Sequence, residues 1–197
     1  MVHSQFEAVN FLVLLAGPSV SGREILVEQT ARVAAAQGAS SGAVDSIRSV
    51  QHRTLEAVAT APDSAAAAER LRAVLEDEGA GADRIQSQIE QATDPWFRFF
   101  VRHDPAPTLR EIDVPVLALY GGNDLQVPPE QNAGPMRTAL QESPSSDATV
   151  RVLDGLNHLF QAAETGLPNE YAQIETTMAP RALERVSSWI QGRIRMN

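Results

Sequence analysis

Pro115-Val116-Leu117-Ala118-Leu119-Tyr120-Gly121-Gly122-Asn123-Asp124-Leu125-Gln126-Val127-Pro128-Pro129 is the stretch that orders the rest of the chain. Its first half is a short apolar run closed by paired glycines, the pattern of a strand buried on both faces of a parallel sheet. Asp124 follows at the strand's carboxyl end, where open α/β sheets place ligands and catalytic groups. Taken alone, it reads as a turn aspartate feeding the next helix. A second stretch changes that weighting. Thr149-Val150-Arg151-Val152-Leu153 is another apolar-rich strand, and Asp154-Gly155-Leu156-Asn157-His158-Leu159-Phe160 sets a histidine just past its end. Strand then Asp, strand then His, in that chain order, is the second half of a Ser…Asp…His arrangement on an α/β sheet.

Upstream, Phe11-Leu12-Val13-Leu14-Leu15-Ala16 is continuously apolar, which suits a strand in the interior of a parallel sheet and not an edge. Gly17-Pro18-Ser19-Val20-Ser21-Gly22 follows as a turn. Gly22 to Gly38 then reads as a helix with Ile25, Leu26 and Val33 on its apolar side. Gly17 and Gly22 have the spacing of a Walker phosphate loop, placed after a strand and before a helix. The chemistry fails at the next two positions. Arg23 and Glu24 stand where that loop needs a lysine and a magnesium-binding hydroxyl, and Pro18 removes a backbone donor. Nucleotide binding is set aside on those grounds.

From about Ala39 to Ala92 the composition shifts to alanine, glutamate, arginine and glutamine. Val44, Ile47, Val50, Leu55 and Val58 keep helical spacing. Asp63 or Ser64 then caps a helix carrying Ala68, Leu71, Val74 and Leu75, and a further helix covers Asp83 to Thr93. Trp96-Phe97-Arg98-Phe99-Phe100 gathers aromatics in a chain with only 5% of them, so it reads as a core anchor or, more sharply, as rings lining an apolar pocket. Asp104-Pro105-Ala106-Pro107-Thr108 reads as a stiff extended connector. Glu130 to Gln141 is a helix that Gly134-Pro135 must kink or delay. Arg181 to Arg193 is a last helix with Pro180 in its first turn and Leu183, Val186, Trp189, Ile190 and Ile194 on its apolar face.

With FLVLLAGP, PVLALYGGNDLQVPPEQN, LDGLNHLFQ and the closing helix on the page, the chain resembles the C-terminal two-thirds of an α/β hydrolase. The resemblance is closest to the bacterial esterases that sit near the serine aminopeptidase-like hydrolases. It implies an α/β fold class, with three parallel strands, flanking helices and a helical lid insertion. Residues 1–22 and 104–197 would form the core and 23–103 the lid. It also implies that Asp124 is the triad acid and His158 the triad base, acting on a small-molecule acyl substrate, ester or amide. No G-x-S-x-G nucleophile elbow or glycine-rich oxyanion strand is recognisable. Ser4, in Val2-His3-Ser4-Gln5-Phe6, lacks the second glycine and stands too close to the strand at Phe11 to precede a helix. Ser19 and Ser21 lie in the turn after that strand.

The expectation is therefore a hydrolase of the serine-esterase type that keeps its acid and histidine but is inactive as this chain alone, a truncated portion of a longer parent. The alternative is a non-catalytic small-molecule-binding or interaction module derived from a hydrolase. The strand 11–16 would lose its inner neighbour, so self-association through it is expected.

Bulk properties narrow the partners. At 197 residues and 43% hydrophobic, the chain can bury a core, and its formal charge of −9 argues against nucleic acid and anionic membrane surfaces. It has no cysteine, and His3, His52, His103 and His158 keep no metal-ligand spacing, so neither metal nor cofactor is expected. No run reaches the length of a membrane span, and the first residues do not form a secretory signal. The expected setting is soluble, and cytoplasmic by default.

Overall fold

The structure is a computed structural model that describes residues 9–145 and 147–194, so His3 and Ser4 lie outside the described residues. In chain order its elements are β1 (Leu12–Leu15), α1 (Gly22–Ala36), α2 (Ser41–Ala59), α3 (Ser64–Asp77), α4 (Ala82–Thr93), α5 (Pro95–Arg102) and α6 (Ala106–Arg110). Then come β2 (Val116–Gly121), α7 (Pro129–Gln141), β3 (Ala148–Leu153), a 3₁₀ helix (Pro168–Gln173) and α8 (Pro180–Ile194). The described residues fall into two compact units, one of those up to 20 with those from 105 onward, and one of residues 21–104.

The first unit is α/β. Its three strands form one parallel sheet in the order β1-β2-β3. Leu12 to Leu15 align with Val116 to Leu119, and Val116 to Gly121 align with Ala148 to Leu153. β2 is therefore paired on both sides, and every one of its residues is buried. Burial also pushes the Tyr120 phenol pKa up, and its hydroxyl donates to the Gly17 carbonyl at 2.8 Å. Among the described residues β1 combines the apolar run of an interior strand with the open side expected of one that loses its inner neighbour. It is the edge of the described sheet, paired on one side only, and Leu15 is 42% exposed.

Two readings are corrected in this unit. The 104–108 connector is not extended, because Ala106–Arg110 is a short helix whose proline sits in the first turn, where a missing N–H costs no helical bond. Pro135 lies inside α7, which starts at Pro129 and so is not delayed, and Asn132, Ala133, Met136, Ala139 and Leu140 bury the helix's inner side. The apolar face expected of α8 is covered in part: Ala182 is buried, Val186, Trp189 and Ile190 are half-buried, and Leu183 and Ile194 are exposed. Trp189 has defined partners. Its ring meets Phe11 edge-on at 5.7 Å, and the Arg193 guanidinium lies over it at 3.3 Å.

The second unit is all helical and has a core of its own, built from Val27, Leu55, Val58, Leu71, Leu75, Ile85, Ile89 and Val101. Side-chain caps begin its helices except α4, which follows Gly81 without one. The Ser40 hydroxyl accepts from Ala43 N–H, and the Asp63 and Asp94 carboxylates accept from Ala66 and Phe97 N–H. Ser21 and Glu24 make a reciprocal capping box on α1. That box explains why the 17–24 stretch only imitates a phosphate loop: the helix N-terminus is already closed by the chain's own carboxylate. Gly22 serves packing instead, since a Cβ there would lie 2.1 Å from the Phe100 carbonyl oxygen. Its N–H donates to His103 O at 3.2 Å, joining the first and last turns of the unit.

The aromatic stretch 96–100 divides. Phe97 and Phe100 pack against the helical core, as an anchor should, while Trp96 and Phe99 are 67% and 60% exposed. No helix among the described residues is long and apolar enough to cross a membrane.

Candidate active site

β2 and β3 end side by side, and the loops that leave their carboxyl ends carry Asp124 and His158. The approach depends on the glycines that close β2. A Cβ on Gly121 would lie 2.4 Å from the carbonyl oxygens of both Leu156 and Asn157, so only glycine admits the histidine loop at this distance. Backbone bonds then fasten the loops together. Gly122 N–H donates to Leu153 O at 2.9 Å and Asn123 N–H to Leu156 O at 2.8 Å. The Asn123 side chain adds a third link, donating to Ala163 O at 2.8 Å.

Asp124 is 1% exposed, and its two oxygens have different tasks. Oδ1 accepts from the backbone N–H groups of Gln126 at 2.8 Å and Val127 at 2.9 Å, an Asx turn that fixes the carboxylate plane. Oδ2 lies 2.9 Å from His158 Nδ1. A carboxylate can only accept, so this contact calls for the Nδ1–H tautomer and leaves the Nε2 lone pair available. The imidazole side chain keeps 27% exposure, against none for the carboxylate. The pair is thus a buried acceptor holding a partly open base, an arrangement that can take a proton at Nε2 and stabilise the imidazolium that results.

His158 is held by a feature that sequence reasoning missed. Asn157 is fully buried; its Oδ1 accepts from the N–H groups of Leu159 at 3.0 Å and Gln161 at 2.9 Å, and its Nδ2 donates to Gln161 Oε1 at 3.0 Å. Gln161 Nε2 continues to Thr176 O at 3.1 Å. Inside this amide ring Phe160 adopts φ 59°, the left-handed region. A second missed link starts from Gln126, whose Nε2 donates to the Tyr171 hydroxyl of the 3₁₀ helix at 3.0 Å. Burial raises the Tyr171 phenol pKa, the Gln126 bond opposing it. The sequence signals were faint: an Asn and a Gln four residues apart around the histidine, and a D-x-Q after the strand.

Ser19 and Ser21, the described serines weighed as nucleophiles, have other employment. Ser19 is buried; its hydroxyl donates to Asn132 O at 2.6 Å and its N–H to Asn132 Oδ1 at 3.0 Å, tying the β1 loop to α7. Ser21 caps α1. Among the described residues no group of three or more His, Cys, Asp or Glu side chains is arranged to hold a metal ion.

No protein-family model matches the chain, and no curated protein matches it. Among solved structures it is similar to an esterase, RhEst1 from Rhodococcus sp. ECU1013, at 19% identity and a TM-score of 0.37, over 93% of this chain. The chain spans 56% of that esterase's length.

Proposed function

We propose that this chain carries the acid–base part of a serine-type hydrolase acting on a carboxylic ester or related acyl bond. The observation that supports this reading is the 2.9 Å contact between the buried Asp124 carboxylate and His158 Nδ1, at the carboxyl ends of adjacent parallel strands. In such a reaction His158 Nε2 takes the proton of the attacking hydroxyl and returns it to the leaving group. Asp124 holds the tautomer and stabilises the imidazolium. No described serine occupies a strained strand-to-helix elbow, so the chain alone is proposed to lack the acyl-enzyme route and to keep at most a weak general-base reaction. Under the same reading the helical insertion acts as a lid, and β1's outer edge is where chains self-associate.

Initial rates of p-nitrophenyl acetate hydrolysis test the proposal in wild type, His158→Ala and Asp124→Asn. The expected result is a slow rate without a burst, falling in both variants by no more than about 10²-fold, the reach of a positioned acid–base group without a nucleophile. A burst of p-nitrophenol would reveal an acyl-enzyme and overturn the claim of incompetence. Equal rates in all three proteins would remove the acid–base reading and leave a non-catalytic binding module.

A further inference from the structure

α5 builds a second polar site, wholly within the helical unit. Arg98 and Arg102 are one helical turn apart and both reach the turn after α2. Arg98 donates to Ser64 Oγ at 2.9 Å and to Ala61 O at 3.0 Å. Arg102 donates to Ala59 O at 2.8 Å and also to Ala61 O, so two guanidinium groups share one acceptor oxygen. Among the described residues neither is ion-paired. Each guanidinium presents five N–H donors in a rigid fork, and the protein's own acceptors take two from each. Arg98 is nonetheless 7% exposed, a charge held out of water beside a like charge.

Capping of the α2 C-terminus accounts for part of this. A helix end carries about half a negative charge, too little to balance two guanidinium groups. The same residues line a cleft of about 640 Å³, with Ser64, Phe99, His103 and Pro95 around them. That is within the range of small-molecule sites. Phe99 is exposed and stacks on His103 at 5.2 Å, giving the cleft a flat apolar wall beside its cationic floor. Asp63 and Asp104 also line the cleft, and Asp63 is engaged in capping α3. Their charge disfavours a bare anion, so an occupant must also gain from the ring.

We propose that this cleft binds a phosphate monoester carried on a flat apolar group, with the phosphate on the Arg98–Arg102 fork and the ring against Phe99. A dianion with several acceptor oxygens matches two adjacent guanidinium groups. Calorimetric titration of the full chain with phenyl phosphate, inorganic phosphate and phenol tests it. The proposal expects phenyl phosphate to bind one per chain and more tightly than either fragment. Arg102→Gln weakens it about tenfold, the scale of a lost charged hydrogen bond, and Phe99→Ala abolishes the preference over inorganic phosphate. Arg102 is on the surface, so its variant keeps the fold if Arg98→Gln does not; thermal melting monitored by circular dichroism checks both. No binding of phenyl phosphate at millimolar concentration, or equal binding in Arg102→Gln and wild type, overturns the proposal. Ester hydrolysis does not enter the readout, so this result stands or falls apart from the hydrolase reading.

Discussion

β1 and β2 are close to twins as sequence, Leu-Val-Leu-Leu against Val-Leu-Ala-Leu-Tyr-Gly, yet the fold treats them oppositely. β2 has a hydrogen-bonded neighbour on each side and no exposed residue. β1 has one neighbour among the described residues, and its last leucine is exposed. An apolar run reports that a segment suits a buried strand; it does not report how many partners arrive. The two strands differ in the residues that close them. β2 ends in glycines that let a second loop lie against it, whereas β1 ends in Ala16 at φ 50°, with Gly17 and Pro18 next in the chain.

The comparison breaks first under truncation of matched leucines. Leu119→Ala, in fully buried β2 and in register with Leu15, is expected to cost about 2–5 kcal/mol, and Leu15→Ala in β1 less than about 1.5, because a half-open site leaves little cavity. Urea unfolding of the two variants measures the gap, and equal losses would erase the distinction between the strands. Next, Gly121→Ala drives a methyl into two carbonyl oxygens and is expected to cost about 1–3 kcal/mol. It should also part the two loops, so the downfield Nδ1 proton signal of His158 would disappear from the NMR spectrum. A variant that keeps both stability and that signal would show that the loops tolerate the methyl.

Self-association is the third test. The open edge of β1 is expected to give concentration-dependent dimers at tens of micromolar by light scattering, and Leu15→Lys to suppress them. A wild-type monomer at all concentrations would mean that this edge is protected. The smallest effect lies beyond β3. The Glu170 carboxylate accepts from Thr165 N–H and Gly166 N–H, both at 3.0 Å. Hydrogen bonding from Thr165, first through its side chain, holds its pKa below the usual 4.5. A carboxylate lowered in the folded state stabilises above its unfolded pKa, and that contribution fades as pH falls through the folded value. Amide protection at Thr165 and Gly166, taken relative to intrinsic exchange, should therefore fall in wild type as pH drops below the ordinary carboxylate range and stay flat in Glu170→Gln.

Much of the scaffold was legible because it is periodic. The helical spacing at Leu55, Val58, Leu71 and Leu75 marks residues that all lie in the second unit's core. Asp124 and His158 stood out because strand ends are recognisable, and each residue comes just after one. The supports around them carry no period. Asn157 and Gln161 act through loop geometry, and Gln126 finds Tyr171 forty-five residues away across two loops. The aromatic stretch 96–100 was recognisable as important, but which rings turn outward depends on the phase of α5, and no flanking pattern fixes that. On α8 the apolar face was legible, but amphipathicity does not tell which of its residues are covered, and Leu183 and Ile194 are exposed.

The bond between Gly22 N–H and His103 O bears on how this chain can be handled. Because the helical unit's two ends meet, it is built as a cassette: its termini lie at one point and its apolar core is internal. Domains with adjacent ends tolerate insertion into hosts and circular permutation. Residues 21–104 are thus suited to transplantation, and a short linker joining Val20 to Pro105 is the natural way to recover the sheet without them.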